Sequence, residues 1–96
     1  MLKRFSKKKD YEIYFNKDSY DFIEKLKKKD RTFYLEIYKK LIKIKENPYN
    51  GKLLSRKYKN NFSERIRNFR IIYFIEDNEI QIVAIGNRDD VYNMNF

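Results

Sequence analysis

Apolar and polar residues alternate along this chain with two different periods, and each period predicts one type of element. Alternation at every second position predicts a strand over residues 11–15. Spacings of three and four between apolar residues predict helices over residues 17–29 and 31–47. The second helix ends at Asn47 because the next residue is Pro48, and the residue before a proline disfavours the helical conformation.

Polar residues at the helix starts support these boundaries. Asn16 or Asp18 is suited to cap the first helix, and Asp30 the second. The apolar stripe of the second helix is predicted to consist of Tyr34, Ile37, Leu41 and Ile44. Because the link between the helices is short, we expect them to pack as an antiparallel pair.

The second half of the chain contains three strand-like runs separated by tight turns. They cover residues 62–66, 69–75 and 79–85, with Arg67-Asn68 and Asp77-Asn78 as the turns. The element order is then β-α-α-β-β-β. We therefore predict an α+β fold, in which a helical hairpin packs on one face of a mainly antiparallel four-stranded sheet.

Length and composition indicate a single domain. A chain of 96 residues is large enough for one hydrophobic core, and its aromatic content of 18% favours a packed core although 39% of the residues are charged. We assign this domain to residues 11–96. Residues 1–10 carry five basic side chains and are predicted to form a basic N-terminal arm, which is either a solvated terminus or a segment that touches nucleic acid.

The charge balance indicates a polyanionic partner. The formal net charge is +9, and nucleic acid is the commonest partner of such a basic chain. The positive charge is concentrated, since residues 51–70 contain seven basic residues and one acid, Glu64. The seven are Lys52, Arg56, Lys57, Lys59, Arg65, Arg67 and Arg70. A concentrated patch steers polyanions toward one surface.

Several classes of site are not supported by the sequence. The chain has no cysteine and no histidine, so thiolate and imidazole chemistry are absent. The acidic pairs Glu76-Asp77 and Asp89-Asp90 are adjacent in sequence, which does not suit a two-metal site, and we predict no metal or other cofactor. No run approaches the roughly 18 apolar residues of a membrane span, and a cytoplasmic location is expected.

Two arginines are predicted to face each other across the first hairpin. If Arg67-Asn68 form a two-residue turn, Arg65 lies opposite Arg70. Like charges in this position repel, so the pair requires a compensating anion. That anion is either a bound phosphate or an acidic side chain of the protein, such as Glu64 or Glu76.

Four segments, in this order and at this spacing, resemble the RelE/ParE toxin family, in particular its ribosome-associated ribonuclease branch. They are YEIYF (11–15), ENPYNGKLL (46–54), SERIRNFRIIYFI (63–75) and IVAIGNRDDVY (82–92). The resemblance implies the fold predicted above, with an active concavity on the sheet face away from the helices. It also implies a toxin of a type II toxin-antitoxin system, neutralised by a RelB-like antitoxin.

The resemblance assigns site residues to this sequence. Arg65, Arg70, Arg88 and Tyr92 match the family's catalytic positions, and Ser63 departs from the pattern because some active members carry a basic residue there. The implied reaction is metal-independent cleavage of messenger RNA on the ribosome by the RNA's own 2′-hydroxyl group. The arginines would bind and neutralise the reacting phosphate, and Tyr92 would stack on a base. A C-terminal tyrosine packed on the sheet edge is the alternative role for Tyr92.

Further basic residues are predicted to contact the RNA backbone: Arg56, Lys57, Lys59 and Arg67. Two other functions remain open from the sequence. One is a non-nucleolytic toxin or RNA- or DNA-binding module of the same fold, including an inhibitor of gyrase like those of the ParE branch. The other is a small basic nucleic-acid-binding protein outside this family.

Overall fold

The structure, a computed structural model, describes residues 10–54 and 60–92, and of Tyr92 it describes the backbone only. The predicted basic arm therefore lies outside the described residues except for Asp10. In chain order the elements are β1 (Glu12–Phe15), α1 (Lys17–Lys29), α2 (Arg31–Glu46), a 3-10 turn (Pro48–Asn50), β2 (Lys52–Leu53), β3 (Phe62–Ile66), β4 (Phe69–Glu76), β5 (Glu79–Asn87) and α3 (Arg88–Tyr92).

The described strands form one sheet in the order β1-β5-β4-β3-β2. Strand β1 runs parallel to β5, and the other neighbours are antiparallel. The predicted fold class is confirmed, but β2 and α3 were not predicted as elements. Strand β2 is only two residues long, so no alternation of apolar and polar residues marks it within the basic connection between α2 and β3.

Both helix caps are in place. The Asn16 side chain, rather than that of Asp18, accepts a hydrogen bond from the Ser19 backbone N–H at 3.0 Å. The Asp30 side chain accepts one from the Phe33 N–H at 3.1 Å. Each bond satisfies an N–H group that has no partner within the helix.

The main core lies between the helical hairpin and one face of the sheet. On α2 the buried residues are Phe33, Ile37, Leu41 and Ile44. The predicted stripe began one residue late, because Phe33 is buried and Tyr34 is only partly buried. The Phe33 ring packs edge-on against Phe69 of β4, with ring centroids 4.9 Å apart.

A smaller apolar cluster lies on the opposite face of the sheet. It joins Ile72, Ala84 and Val91, and it anchors α3 to β4 and β5. Gly86 allows the close approach, since a Cβ atom there would lie 3.2 Å from a methyl group of Val91. This cluster places α3 on the face that carries the predicted arginines. No helix within residues 10–54 and 60–92 is long and apolar enough to cross a membrane.

Candidate functional site

The β3–β4 hairpin has the predicted register. Arg65 pairs with Arg70 and Ile66 with Phe69, around the two-residue turn Arg67-Asn68. Side chains alternate between the two faces of a strand. Because Ile66 and Phe69 pack into the core beneath the helices, Arg65 and Arg70 point to the opposite face.

Arg88 reaches the same region from the other side of β4. It is the first residue of α3, directly after β5, and its backbone N–H donates to the Asn68 carbonyl oxygen at 3.1 Å. This bond ties the start of α3 to the hairpin turn. The Asn87 side chain accepts a hydrogen bond from the Asp90 N–H at 3.0 Å, which helps to fix the same corner.

Arg65, Arg70 and Arg88 line one cavity of about 570 Å³, together with Asn68, Phe69, Asn87 and Asp89. We call this the arginine cavity. Three arginines, from β3, β4 and α3, therefore border one space. The catalytic roles assigned to the three residues stay predictions, whereas their shared location is a feature of the structure.

The acidic residues that the sequence suggested as bridges lie elsewhere. Glu64 points to the helix face and lies 3.7 Å from the Lys40 ammonium group. Glu76 lies at the far end of β4, opposite Glu79. Within the described residues, neither Arg65 nor Arg70 forms an ion pair with a carboxylate. Asp89, which lines the same cavity, and a bound anion are therefore the groups left to compensate their mutual repulsion.

The hydrogen bonds of these two arginines orient them toward the cavity. Arg65 donates from Nε to the Arg67 carbonyl oxygen at 3.1 Å. Arg70 donates from Nη1 to the Ser63 hydroxyl at 3.5 Å, and Ser63 is buried. The serine at this position, a departure from the family pattern, thus lies beneath a site arginine and contacts it.

Arg67 is not brought to the cavity. Its guanidinium donates from Nε and Nη2 to the two carboxylate oxygens of Glu36 on α2, at 2.9 and 2.8 Å. It also lies over the Phe33 ring, 4.3 Å from the ring centroid. The hydrogen bonds from Arg67 lower the pKa of the Glu36 carboxyl group. No sequence pattern predicts this pair, because Glu36 and Arg67 are 31 positions apart.

Lys52, which the sequence placed only within the basic patch of residues 51–70, lies on the same face of the sheet as the arginine cavity. In the sheet it pairs with Ser63, which pairs with Ile72, so its side chain belongs to the same face as Arg65 and Arg70. Leu54, two residues further on, packs against the apolar cluster of that face. Only the pairing of β2 reveals this placement, and that strand has no recognisable sequence pattern.

Four predicted site residues lie wholly or partly outside the described residues. Arg56, Lys57 and Lys59 lie outside the described residues, as does the side chain of Tyr92, whose backbone ends α3. In the part of the chain that the structure describes, no three acidic residues cluster as metal ligands.

A family model described as ParE toxin of type II toxin-antitoxin system, parDE, matches residues 9–92. No curated protein matches the chain. Several solved structures are similar over most of their length. The YoeB dimer from Staphylococcus aureus is 21% identical, with a TM-score of 0.72 over 83% of this chain and 99% of that one.

Two more solved structures agree with this result. The toxin-antitoxin complex RelBE2 from Mycobacterium tuberculosis is 22% identical, with a TM-score of 0.69 over 82% of this chain and 99% of that one. A mutant of the E. coli toxin RelE in the free state is 20% identical, with a TM-score of 0.70 over 88% of this chain and 92% of that one. At these identities the structural likeness shows the fold.

Proposed function

The chain belongs to the RelE/ParE superfamily of type II toxin-antitoxin toxins, and from this premise we propose that it is a metal-independent endoribonuclease that cleaves messenger RNA on the ribosome. The observation that carries the proposal is the arginine cavity, where Arg65, Arg70 and Arg88 meet. Such a cluster matches the geometry and charge of a phosphodiester. Action on translating ribosomes would place the protein in the cytoplasm.

The proposed reaction uses a nucleophile that RNA itself supplies. The 2′-hydroxyl loses its proton to water as its oxygen bonds to the neighbouring phosphorus. The bond from phosphorus to the 5′ oxygen breaks, and that oxygen takes up a proton. The products are a 2′,3′-cyclic phosphate and a 5′-hydroxyl. Negative charge accumulates on the phosphorane and on the leaving oxygen, so fixed cations at these atoms lower the barrier.

The arginines serve this reaction through position and charge. An arginine side chain keeps its positive charge in proteins, so it is unsuited to act as a general base. In the proposed arrangement Arg65 and Arg70 hold the two non-bridging phosphate oxygens, and Arg88 stabilises the leaving 5′ oxygen. Tyr92 stacks on a base of the message. Arg56, Lys57 and Lys59 are proposed to contact the RNA backbone.

Lys52 extends this cationic surface beyond the cavity, and it provides a prediction. We expect Lys52→Ala to weaken binding of an RNA oligonucleotide with 2′-deoxy sugars, which cannot be cleaved. The slope of log affinity against log salt should fall by about 0.7, the value for one lost contact to a single-stranded phosphate. Fluorescence anisotropy at several salt concentrations measures both quantities.

The matched control is Lys45→Ala. Lys45 lies on α2 and lines the apolar cavity between the helices and β1, on the other face of the sheet. It carries the same charge, so its removal changes the net charge equally. If the two variants bind with the same affinity and the same salt slope, Lys52 has no specific contact with RNA.

An antitoxin is the proposed protein partner. The helical hairpin exposes large apolar side chains, which are otherwise costly to leave in water; they are Tyr20, Leu35, Tyr38 and Ile42. An acidic, amphipathic helical antitoxin would cover these side chains with its apolar side. Its acidic residues would neutralise basic side chains of the toxin. The similar RelBE2 structure is itself a complex of a toxin with its antitoxin.

A second candidate function is poisoning of gyrase without RNA cleavage. The matching family model, which carries the name ParE, favours it, as does Ser63 in place of a basic residue. Primer extension on cellular messages after induction separates the two functions. New ends within translated codons support the ribonuclease. Growth arrest with intact messages and broken chromosomal DNA would support the gyrase poison.

A further inference from the structure

Arg67 links the two faces of the sheet. Its side chain lies on the helix face, where it pairs with Glu36 and covers Phe33. Its backbone carbonyl oxygen accepts the hydrogen bond from Nε of Arg65, whose guanidinium lines the arginine cavity on the other face. One turn residue thus contacts both a helix and a site arginine.

The backbone of Arg67 requires support to hold this conformation. Its φ is 55°, in the left-handed region that residues with a Cβ atom rarely adopt. A two-residue turn usually has glycine, asparagine or aspartate at such a position. The two hydrogen bonds that Arg67 donates to the Glu36 carboxylate and the contact with Phe33 hold the arginine side chain, and through it the orientation of the carbonyl group.

We propose that the Glu36–Arg67 ion pair positions the guanidinium of Arg65 in the arginine cavity by fixing the turn between β3 and β4. With Nε bonded to the turn, the two terminal nitrogens of Arg65 point toward an incoming phosphate. Glu36 and Arg67 are positioning residues, since neither lines the cavity. The catalytic consequence rests on the proposed ribonuclease function, but the ordering of Arg65 does not.

The pair is exposed enough to separate this role from general stability. The Arg67 and Glu36 side chains are 45% and 42% exposed, and ion pairs at such exposure contribute little to folding. A change in Arg65 after Glu36 is removed would therefore not result from unfolding. The alternative role for Arg67 is a direct contact with RNA, as the sequence suggested.

The first test follows the Nε–H signal of Arg65 by ¹⁵N–¹H NMR in the protein without RNA, with the signal assigned by its loss in Arg65→Lys. In Glu36→Ala we expect the signal to shift and its hydrogen exchange to accelerate by about five- to tenfold, as for one lost hydrogen bond. The control is Asp21→Ala, which breaks the exposed Lys17–Asp21 ion pair on α1 and should leave the signal unchanged.

A double variant tests the route through the turn. Glycine adopts a φ of 55° without help, so Arg67→Gly in the Glu36→Ala background is expected to restore the Arg65 signal. An unchanged signal in Glu36→Ala would overturn the proposal. A double variant with the same signal as Glu36→Ala would also overturn it, because the turn would then not be the link.

The second test measures cleavage on ribosomes. We expect Glu36→Ala to lower kcat by about 10- to 100-fold, since misplacing a catalytic group by about 1 Å costs up to about 100-fold, with KM within about twofold of the wild-type value. If instead Arg67→Ala raises KM and Glu36→Ala leaves kcat unchanged, Arg67 contacts RNA directly and the proposal is overturned. If the wild-type protein cleaves no RNA, the proposed function fails, and the NMR result still decides whether Glu36 orders Arg65.

Discussion

Arg70→Ala is expected to abolish growth arrest and to lower RNA cleavage by about 10² to 10³-fold or more, the usual effect of removing a donor that stabilises charge in a transition state. Arg70 is the central arginine of the cavity. It lies opposite Arg65 on β3 and next to Gly86 on β5, and its terminal nitrogen contacts Ser63. Single-turnover cleavage on programmed ribosomes and growth after induction measure the effect.

The same substitution should not weaken the fold. Because Arg65 and Arg70 are adjacent like charges without an acidic partner among the described residues, removal of one relieves repulsion. We expect the Tm of Arg70→Ala to stay close to the wild-type value, because this relief offsets the loss of the long hydrogen bond to the buried Ser63 hydroxyl. Arg31→Ala at the start of α2 is the matched control and should retain activity. Full toxicity of Arg70→Ala would remove Arg70 from the site.

Tyr73→Ala is expected to lower the free energy of unfolding by about 3–5 kcal/mol, as for other large aromatic residues removed from a core. Tyr73 is completely buried in β4. Its ring stacks on Phe62 with centroids 5.5 Å apart, and its hydroxyl donates to the Pro48 carbonyl oxygen at 2.6 Å. The whole free energy of unfolding of a small domain is about 5–15 kcal/mol. The midpoint of urea unfolding should therefore move to a much lower urea concentration.

Two further variants refine this prediction. Tyr73→Phe leaves the Pro48 carbonyl oxygen without its donor and should cost about 1–3 kcal/mol. Tyr38→Ala, at an exposed position on α2, is the control and should change stability by less than about 0.5 kcal/mol. If Tyr73→Phe is as stable as the wild type, the hydroxyl does not hold the segment that leads to β2.

The buried Tyr73 hydroxyl leads to a further prediction, about the stability of the protein at alkaline pH. Burial, followed by the nearby Glu64 charge, raises the pKa of the Tyr73 hydroxyl in the folded protein. Above the ordinary tyrosine pKa of about 10, the unfolded chain loses this proton while the folded chain keeps it. The raised pKa of Tyr73 therefore makes its full contribution to the free energy of unfolding below about pH 10, and this contribution is lost as the pH rises further. Above about pH 10, the free energy of unfolding of Tyr73→Phe should fall less steeply with pH than that of the wild-type protein.

The order of the main elements could be predicted because it depends on local signals. Hydrophobic period, the capping residues Asn16 and Asp30, and two short turns determined α1, α2 and the β3–β4–β5 meander. The turn length also determined that Arg65 faces Arg70. These are relations between residues close in sequence, where spacing translates directly into geometry.

The remaining features depend on contacts between distant segments. The partner of Arg67 is Glu36, and the strand that carries Lys52 is recognisable only by its pairing with β3. The packing of Val91 on Ile72 brings α3 back over the sheet and places Arg88 beside the hairpin turn. Tertiary packing determines these long-range contacts, and the spacing of apolar residues along the sequence carries no information about them.

The most direct measurement of the central claim compares two messages on ribosomes. They are identical except that one carries a 2′-deoxy sugar at the nucleotide that is cleaved. The proposed chemistry predicts that wild-type protein cleaves only the message with the 2′-hydroxyl, leaving a 2′,3′-cyclic phosphate and a 5′-hydroxyl, and that Arg65→Ala and Arg70→Ala cleave neither. Cleavage of the deoxy message, or undiminished cleavage by both arginine variants, would contradict the assignment of the arginine cavity as the catalytic site.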